Sequence, residues 1–245
     1  MLPAMVAAAM ARSGFLVGLI SIACASSAIA APKVAKPGRR GGVARANGNN
    51  MPRGFTWPPS QTMRDAAAAC ERGLDEAGVH WTRAGNEGHI VDAVTIDDAT
   101  LGGVSYAPAY GKPADKPLGK IDCQLALALA QLGPTLIAAG VAEVHYGSIY
   151  RWSLIRVGGK TKNALSRHAL GLAMDVASFV GADGHESVVA RDYKAGDPLL
   201  LAIEQAIDAS TAFRMVLTPK NDPLSHKDHF HIEANPNYTQ PTPQS

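Results

Sequence analysis

A single carboxylate within an apolar run restricts what this chain can fold into. Asp175 lies inside the stretch 172–179, whose other residues are mostly apolar. Placing an ionised carboxylate in such surroundings costs on the order of several kcal/mol unless it is paired or bound to a metal. His168 precedes it, and Gly171 lets the backbone turn closely between the two. The segment therefore predicts a buried polar pair that needs a cationic partner, with an ion pair to Arg167 or Arg191 as the alternative.

The end of the chain supplies a second polar pair. Residues two apart share a face of a strand, so His229 and His231 are predicted to project together, while Phe230 and Ile232 face the apolar interior. Together with the first pair, these side chains give three protein ligands for a tetrahedral zinc and one open position, as in catalytic sites. The predicted ligand set is therefore His168, Asp175 and a histidine of the pair His229 and His231.

Apolar periodicity and turn residues predict helices early in the chain and strands mostly late. Predicted helices cover 60–78, 122–139 and 199–207, and 102–119 is expected to be a loop. Predicted strands are a hairpin over 79–96, then 141–150, 172–180 paired with 187–189, 214–217 and 229–233. This order favours an α+β fold over an alternating α/β fold.

Residues 1–30 are predicted to be a signal peptide. Arg12 precedes an apolar run over 14–25, and Ala28-Ile29-Ala30 fits a cleavage site. Translation from Met10 would give a more typical signal than translation from Met1. An uncleaved anchor over 14–31 and a lipoprotein signal ending at Cys24 are alternatives, the second disfavoured by Ser21. We expect an exported protein of the bacterial periplasm or cell envelope.

Residues 31–59 are predicted to be a basic, disordered linker, because Gly, Pro, Ala and Asn surround charges that are all basic. Anionic envelope polymers are a candidate partner for this linker, and the simpler interpretation is a linker with no specific partner. No specific nucleic acid is expected. The folded domain is predicted over 60–236 and a disordered tail over 237–245, in a monomeric protein.

Cys70 and Cys123 are the two cysteines that remain once a signal peptide is removed. An even pair in an oxidising compartment predicts a disulfide, with two buried thiols as the alternative.

The polar motifs resemble those of a known superfamily. Ser166-x-His168-x-x-Gly171-x-Ala173-x-Asp175 with a terminal His229-x-His231 is similar to the superfamily of lysostaphin, D-Ala-D-Ala carboxypeptidases and hedgehog domains. Within it, 165–180 and the closing 226–231 resemble the bacterial extensin-like C-terminal domain family, over about 60–234. The resemblance implies a small, mainly antiparallel sheet flanked by helices, with zinc held by His168, Asp175 and His231 and with His229 beside it. It also implies cleavage of peptide bonds in peptidoglycan stem peptides or crosslinks.

Catalytic roles follow from the same resemblance. Related carboxypeptidases carry a glutamate base three residues before the last histidine ligand, where this chain has Asp228. Strand alternation would turn Asp228 away from His231 unless the chain bends, so the predicted base is either Asp228 or His229. The spacing of His226 is similar to that of penicillin-insensitive murein endopeptidases, and His226 completes the predicted catalytic set.

Two further residues are predicted on the substrate side of the site. Arg151 is expected to bind a substrate carbonyl or carboxylate or an oxyanion, and an exposed structural arginine is the alternative. Ser166 is expected either to orient His168 or to satisfy a loop amide. The rival function is a non-catalytic, zinc-stabilised module that binds the cell wall.

Overall fold

A computed structural model describes residues 50–85, 88–110, 118–157 and 160–239. These residues belong to one compact unit. The predicted signal peptide, linker residues 31–49 and tail residues 240–245 lie outside the described residues. Within the described ranges, no helix is both long and apolar enough to cross a membrane.

The helices and strands confirm the α+β class. The helices are α1 Gln61–Glu76, α2 Cys123–Ala138, α3 Val189–Asp192 and α4 Pro198–Ala209, with a 3-10 helix over Arg167–Leu170. The strands are β1 Trp81–Arg83, β2 Ala93–Ile96, β3 Thr100–Leu101, β4 Val104–Pro108, β5 Leu118–Asp122, β6 Val141–Ser148, β7 Leu154–Val157, β8 Lys160–Leu165, β9 Ala173–Gly181, β10 Glu186–Val188, β11 Phe213–Leu217 and β12 Phe230–Ala234.

The main sheet is mixed but mostly antiparallel. Its strands follow the order β11-β12-β9-β6-β4-β3, with β10 paired to β9, and β4 runs parallel to β6. Strands β1, β2 and β5 form a separate antiparallel sheet, and β7 and β8 form a hairpin. The predicted pairings of 79–96 and of 172–180 with 187–189 are thereby confirmed.

Helix α2 covers the apolar face of the main sheet. Its alanines and leucines are buried around most of its circumference, which agrees with its nearly continuous apolar sequence. Phe230 and Ile232 of β12 are buried in the same core, together with Met174 and Val176 of β9. The polar residues that alternate with them are therefore directed to the opposite face of the sheet.

Helix α1 is capped at its N-terminus and joined to α2 by a disulfide. The Ser60 hydroxyl accepts a hydrogen bond from the Met63 amide at 3.3 Å and caps the N-terminus of α1. The predicted disulfide is confirmed, because Cys70 in α1 is bonded to Cys123, the first residue of α2.

The folded domain extends past both predicted boundaries. Residues 50–59, predicted as linker, contact the domain: Asn50 is buried, and Arg53 forms a β-bridge with Asn237. Tyr238, predicted in the tail, is also buried. The backbone around Arg53 pairs with that of Asn237 and Tyr238, a contact that composition does not reveal.

The predicted loop over 102–119 is wrong in part. Strand β4 forms there because its backbone pairs with β6, and β5 begins at Leu118. Gly102 adopts a φ of +61° and packs its backbone against Gly133 of α2, so these glycines permit close helix–sheet approach.

Candidate metal centre

Strand register places three polar side chains in one row. Asp175 of β9 is the direct partner of His231 on β12 and of Ser148 on β6. Paired residues on neighbouring strands direct their side chains to the same face. The row therefore lies on the face opposite α2, where Asp175 meets His231 at 2.8 Å, from Oδ1 to Nδ1.

His168 reaches this row from the 3-10 helix. The helix ends at Gly171, whose φ is +66° and whose hydrogen atoms leave room for the Asp122 amide, 2.8 Å from where a Cβ would lie. The predicted need for glycine at this turn is thus explained. His168 Nδ1 donates to the Ile149 carbonyl at 2.6 Å, which directs Nε2 toward Asp175.

Three donor atoms converge on one point. His168 Nε2 lies 3.0 Å from Asp175 Oδ1 and 3.1 Å from His231 Nδ1. Zinc with ligands at about 2.1 Å in a tetrahedron separates its ligand atoms by about 3.4 Å. Small outward shifts of the side chains would give that spacing, so this group could hold a metal ion. The structure brings together the three residues predicted as ligands.

The electrostatics of the cluster favour a positive charge at its centre. Burial raises the pKa of Asp175, but hydrogen bonds and charges from His168 and His231 outweigh it and hold the pKa below its usual range. Burial lowers the pKa of His231, whereas hydrogen bonds to Asp175 and Glu233 raise it to about 9. Asp175 is therefore an anion that requires a cation beside it.

Glu233 is a site residue that sequence reasoning missed. It follows His231 by two positions on β12, and its Oε1 accepts from His231 Nε2 at 3.1 Å. Burial raises the pKa of Glu233, but His231 and Arg214 lower it to about 2, so the carboxylate is ionised. The period of a strand was the available signal, since it places residue 233 on the same face as residue 231.

His229 lies beside the cluster. Its Nε2 is 3.6 Å from Asp175 Oδ1, and its Nδ1 is 2.8 Å from Asp228 Oδ1. The chain bends over 227–229, just before β12 begins. The bend turns the half-exposed Asp228 carboxylate toward the His229 ring, where it accepts a hydrogen bond from Nδ1 and leaves Nε2 facing the centre.

His226 packs on the same group of rings. Its centroid is 4.9 Å from that of His231 and 5.1 Å from that of His229. His226 Nδ1 lies 2.9 Å from Asp222 Oδ2. Burial, followed by the positive charge on His231, lowers the pKa of His226 to about 4, so its imidazole is neutral at pH 7.

The structure distinguishes the two residues predicted on the substrate side. Arg151 Nη2 donates to Asp175 Oδ2 at 3.2 Å, and half of its side chain is exposed at the site. Ser148 Oγ donates to the same oxygen at 2.8 Å. Ser166 is buried and accepts from the His168 amide at 3.3 Å, so its role is to cap the 3-10 helix rather than to contact substrate.

Exposed aromatic side chains lie close in sequence or in space to residues of the site. Trp152 follows Arg151 and stacks on His89 with centroids 5.0 Å apart, and the Trp57 ring lies 4.4 Å from the same His89 ring. Tyr110 is exposed next to Gly147, which abuts Asp175. Large, rigid rings beside a polar centre provide contact area for a ligand.

The fold and the site define an α+β protein with a buried His–Asp–His cluster that could hold a metal ion. The model of the family described as extensin-like protein C-terminus matches residues 68–241, well over half of the chain. The chain belongs to this family. A search of curated proteins and a search of solved structures each gave no match.

Proposed function

We propose that the protein is a zinc-dependent peptidase that hydrolyses peptide bonds in peptidoglycan stem peptides or crosslinks. The observation that carries the proposal is the convergence of His168 Nε2, Asp175 Oδ1 and His231 Nδ1 beside His229. Zinc held by three protein ligands keeps one position open, lowers the pKa of a water toward neutrality and polarises a carbonyl. The resemblance of these motifs to peptidoglycan peptidases supports the choice of substrate.

His229 is the general base of the proposed reaction. Asp228 accepts a hydrogen bond from its Nδ1, which directs Nε2 to the centre. His229 Nε2 takes a proton from the attacking water as oxygen bonds to the scissile carbon, and it passes that proton to the leaving amine as the C–N bond breaks. Asp228 stabilises the imidazolium between the two transfers. The two candidates for the base therefore act as a pair, with Asp228 orienting His229.

Arg151 and His226 complete the substrate side. The exposed part of the Arg151 guanidinium is placed to bind a carbonyl oxygen or carboxylate of the peptide, because Ser148 and Asp175 hold its inner edge. The neutral His226 ring donates through Nδ1 to Asp222, so Nε2 can accept a hydrogen bond from the substrate. Trp152 and Tyr110 supply apolar contact beside these polar groups.

Export to the periplasm or cell envelope belongs to the same proposal. The Cys70–Cys123 bond supports it, because disulfides persist in oxidising compartments. Peptidoglycan lies in that compartment, so substrate and enzyme would meet there.

Digestion of purified peptidoglycan tests the proposal. Muropeptides separated by chromatography and weighed by mass spectrometry are expected to show new amino and carboxyl termini. Chelation should abolish the cleavage and added zinc should restore it. His168→Ala should be inactive, whereas His80→Ala serves as a matched control because 83% of the His80 side chain is exposed. A zinc-loaded protein that binds peptidoglycan without cutting it would instead be the wall-binding module.

A further inference from the structure

A buried ionic network contacts the edge of the His231 ring that faces away from His168 and Asp175. Glu233 is 4% exposed. Its Oε1 accepts from His231 Nε2 at 3.1 Å, and its Oε2 accepts a hydrogen bond from Arg214 Nη1. A buried carboxylate is stable only when its oxygens are paired, so Arg214 fixes the position of Glu233.

Asn50 joins this network from the segment before α1. Its Oδ1 accepts from Arg214 Nη1 at 3.2 Å, and its backbone carbonyl accepts from Arg167 Nε at 2.6 Å. Its Nδ2 donates to the Leu165 carbonyl at 3.1 Å. Asn50 is 4% exposed, so these hydrogen bonds are shielded from water. One residue thus fixes both arginines and the end of β8.

The network determines which nitrogen of His231 faces the centre. Because Glu233 accepts a hydrogen bond from Nε2, the ring is held with Nδ1 toward Asp175 and His168. Histidine ligands of metals are oriented by such acceptors, and loss of the acceptor lowers metal affinity by about 10- to 100-fold.

We propose that Glu233, Arg214 and Asn50 form a positioning relay that holds His231 in its ligating orientation. Asn50 thereby makes the segment before α1 part of the metal centre. This inference rests on the proposed function for its zinc readout, but the orientation of His231 is a property of the protein itself. None of the three residues touches the metal ligand atoms, so each acts through His231.

The test measures zinc affinity of the whole protein by competition with a chromophoric chelator. Glu233→Gln is expected to raise the zinc Kd about 10-fold or more. Asn50→Ala leaves the Glu233–His231 hydrogen bond in place, so it is expected to raise the zinc Kd by a smaller factor, about threefold. Glu76→Gln and Asn235→Ala are matched controls at exposed positions and should leave the Kd unchanged. Unchanged affinity in folded Glu233→Gln and Asn50→Ala would overturn the relay.

A second readout separates this proposal from the metallopeptidase proposal. Nitrogen-15 NMR of the imidazoles in metal-free protein should show a protonated His231 Nε2 in the wild type, with its signal shifted in both relay variants. If the wild type binds no zinc, the metallopeptidase proposal fails, and the NMR signals still decide the orientation. If the wild type binds zinc and the His231 signals are unchanged in the variants, the relay alone is wrong. Should Glu233→Gln fail to fold, Asn50→Ala carries both measurements.

Discussion

Removal of the disulfide should destabilise the protein by an amount that depends on the length of the loop it closes. Cys70 and Cys123 are separated by 53 residues and join α1 to the start of α2. Closing a loop of that length in the unfolded chain removes entropy worth about 4 kcal/mol at 25 °C. The double variant Cys70→Ala/Cys123→Ala is therefore expected to lose about 4 kcal/mol of unfolding free energy. For a domain of this size, the loss corresponds to a Tm lower by about 8–16 °C.

Urea denaturation at a fixed zinc concentration measures this change. The variant should also show a larger dependence of the free energy on urea, because its unfolded chain is less compact. Wild-type protein reduced with dithiothreitol is the control and should unfold at a urea concentration close to that of the variant. A double variant within about 1 kcal/mol of oxidised wild type would refute the loop-closure argument.

Three other substitutions test separate parts of the structure. His229→Ala should lower kcat about 100-fold or more without changing zinc content, and near wild-type turnover would exclude it as the base. Burial raises the pKa of Asp122 to about 7, above its usual 3.8, so the folded state holds the proton more tightly and stability falls as pH rises from about 4 to about 7. Asp122→Asn should lessen that fall in urea denaturation at pH 5 and 8, and an unchanged pH dependence would contradict the argument. Gly133→Ala would place a methyl group against the Gly102 carbonyl and should lower the unfolding free energy by about 1–3 kcal/mol. Unaltered thermal stability would mean that α2 can shift to make room for the methyl group.

The candidate cluster of His168, Asp175 and His231 could be predicted because its signals are local. His168 and Asp175 form a short motif, and the alternation around His231 places its side chain on the polar face whatever the rest of the fold. Asp175 and His231 come into contact once β9 and β12 pair, and these strands are paired in the structure. Glu233 obeys the same alternation, but a single acidic residue near the chain end resembles an ordinary solvated side chain.

Other features depend on contacts that no local pattern reports. Asn50 lies 117 residues from Arg167 in sequence, and its neighbours have the composition of a linker. Strand β4 is rich in turn residues at its borders, and it forms because β6 provides a parallel partner. The hairpin β7–β8 was not predicted, since it lacks an alternating apolar face.

Zinc content is the measurement that tests the central claim most directly, because the proposed chemistry depends on the His168–Asp175–His231 cluster. Elemental analysis of purified protein, reconstituted with zinc and freed of excess metal, is expected to give about one zinc per chain. His168→Ala and His231→Ala should lose most of it, while His80→Ala should retain it. Wild-type protein without zinc after reconstitution, or with zinc that both ligand variants keep, would contradict the account.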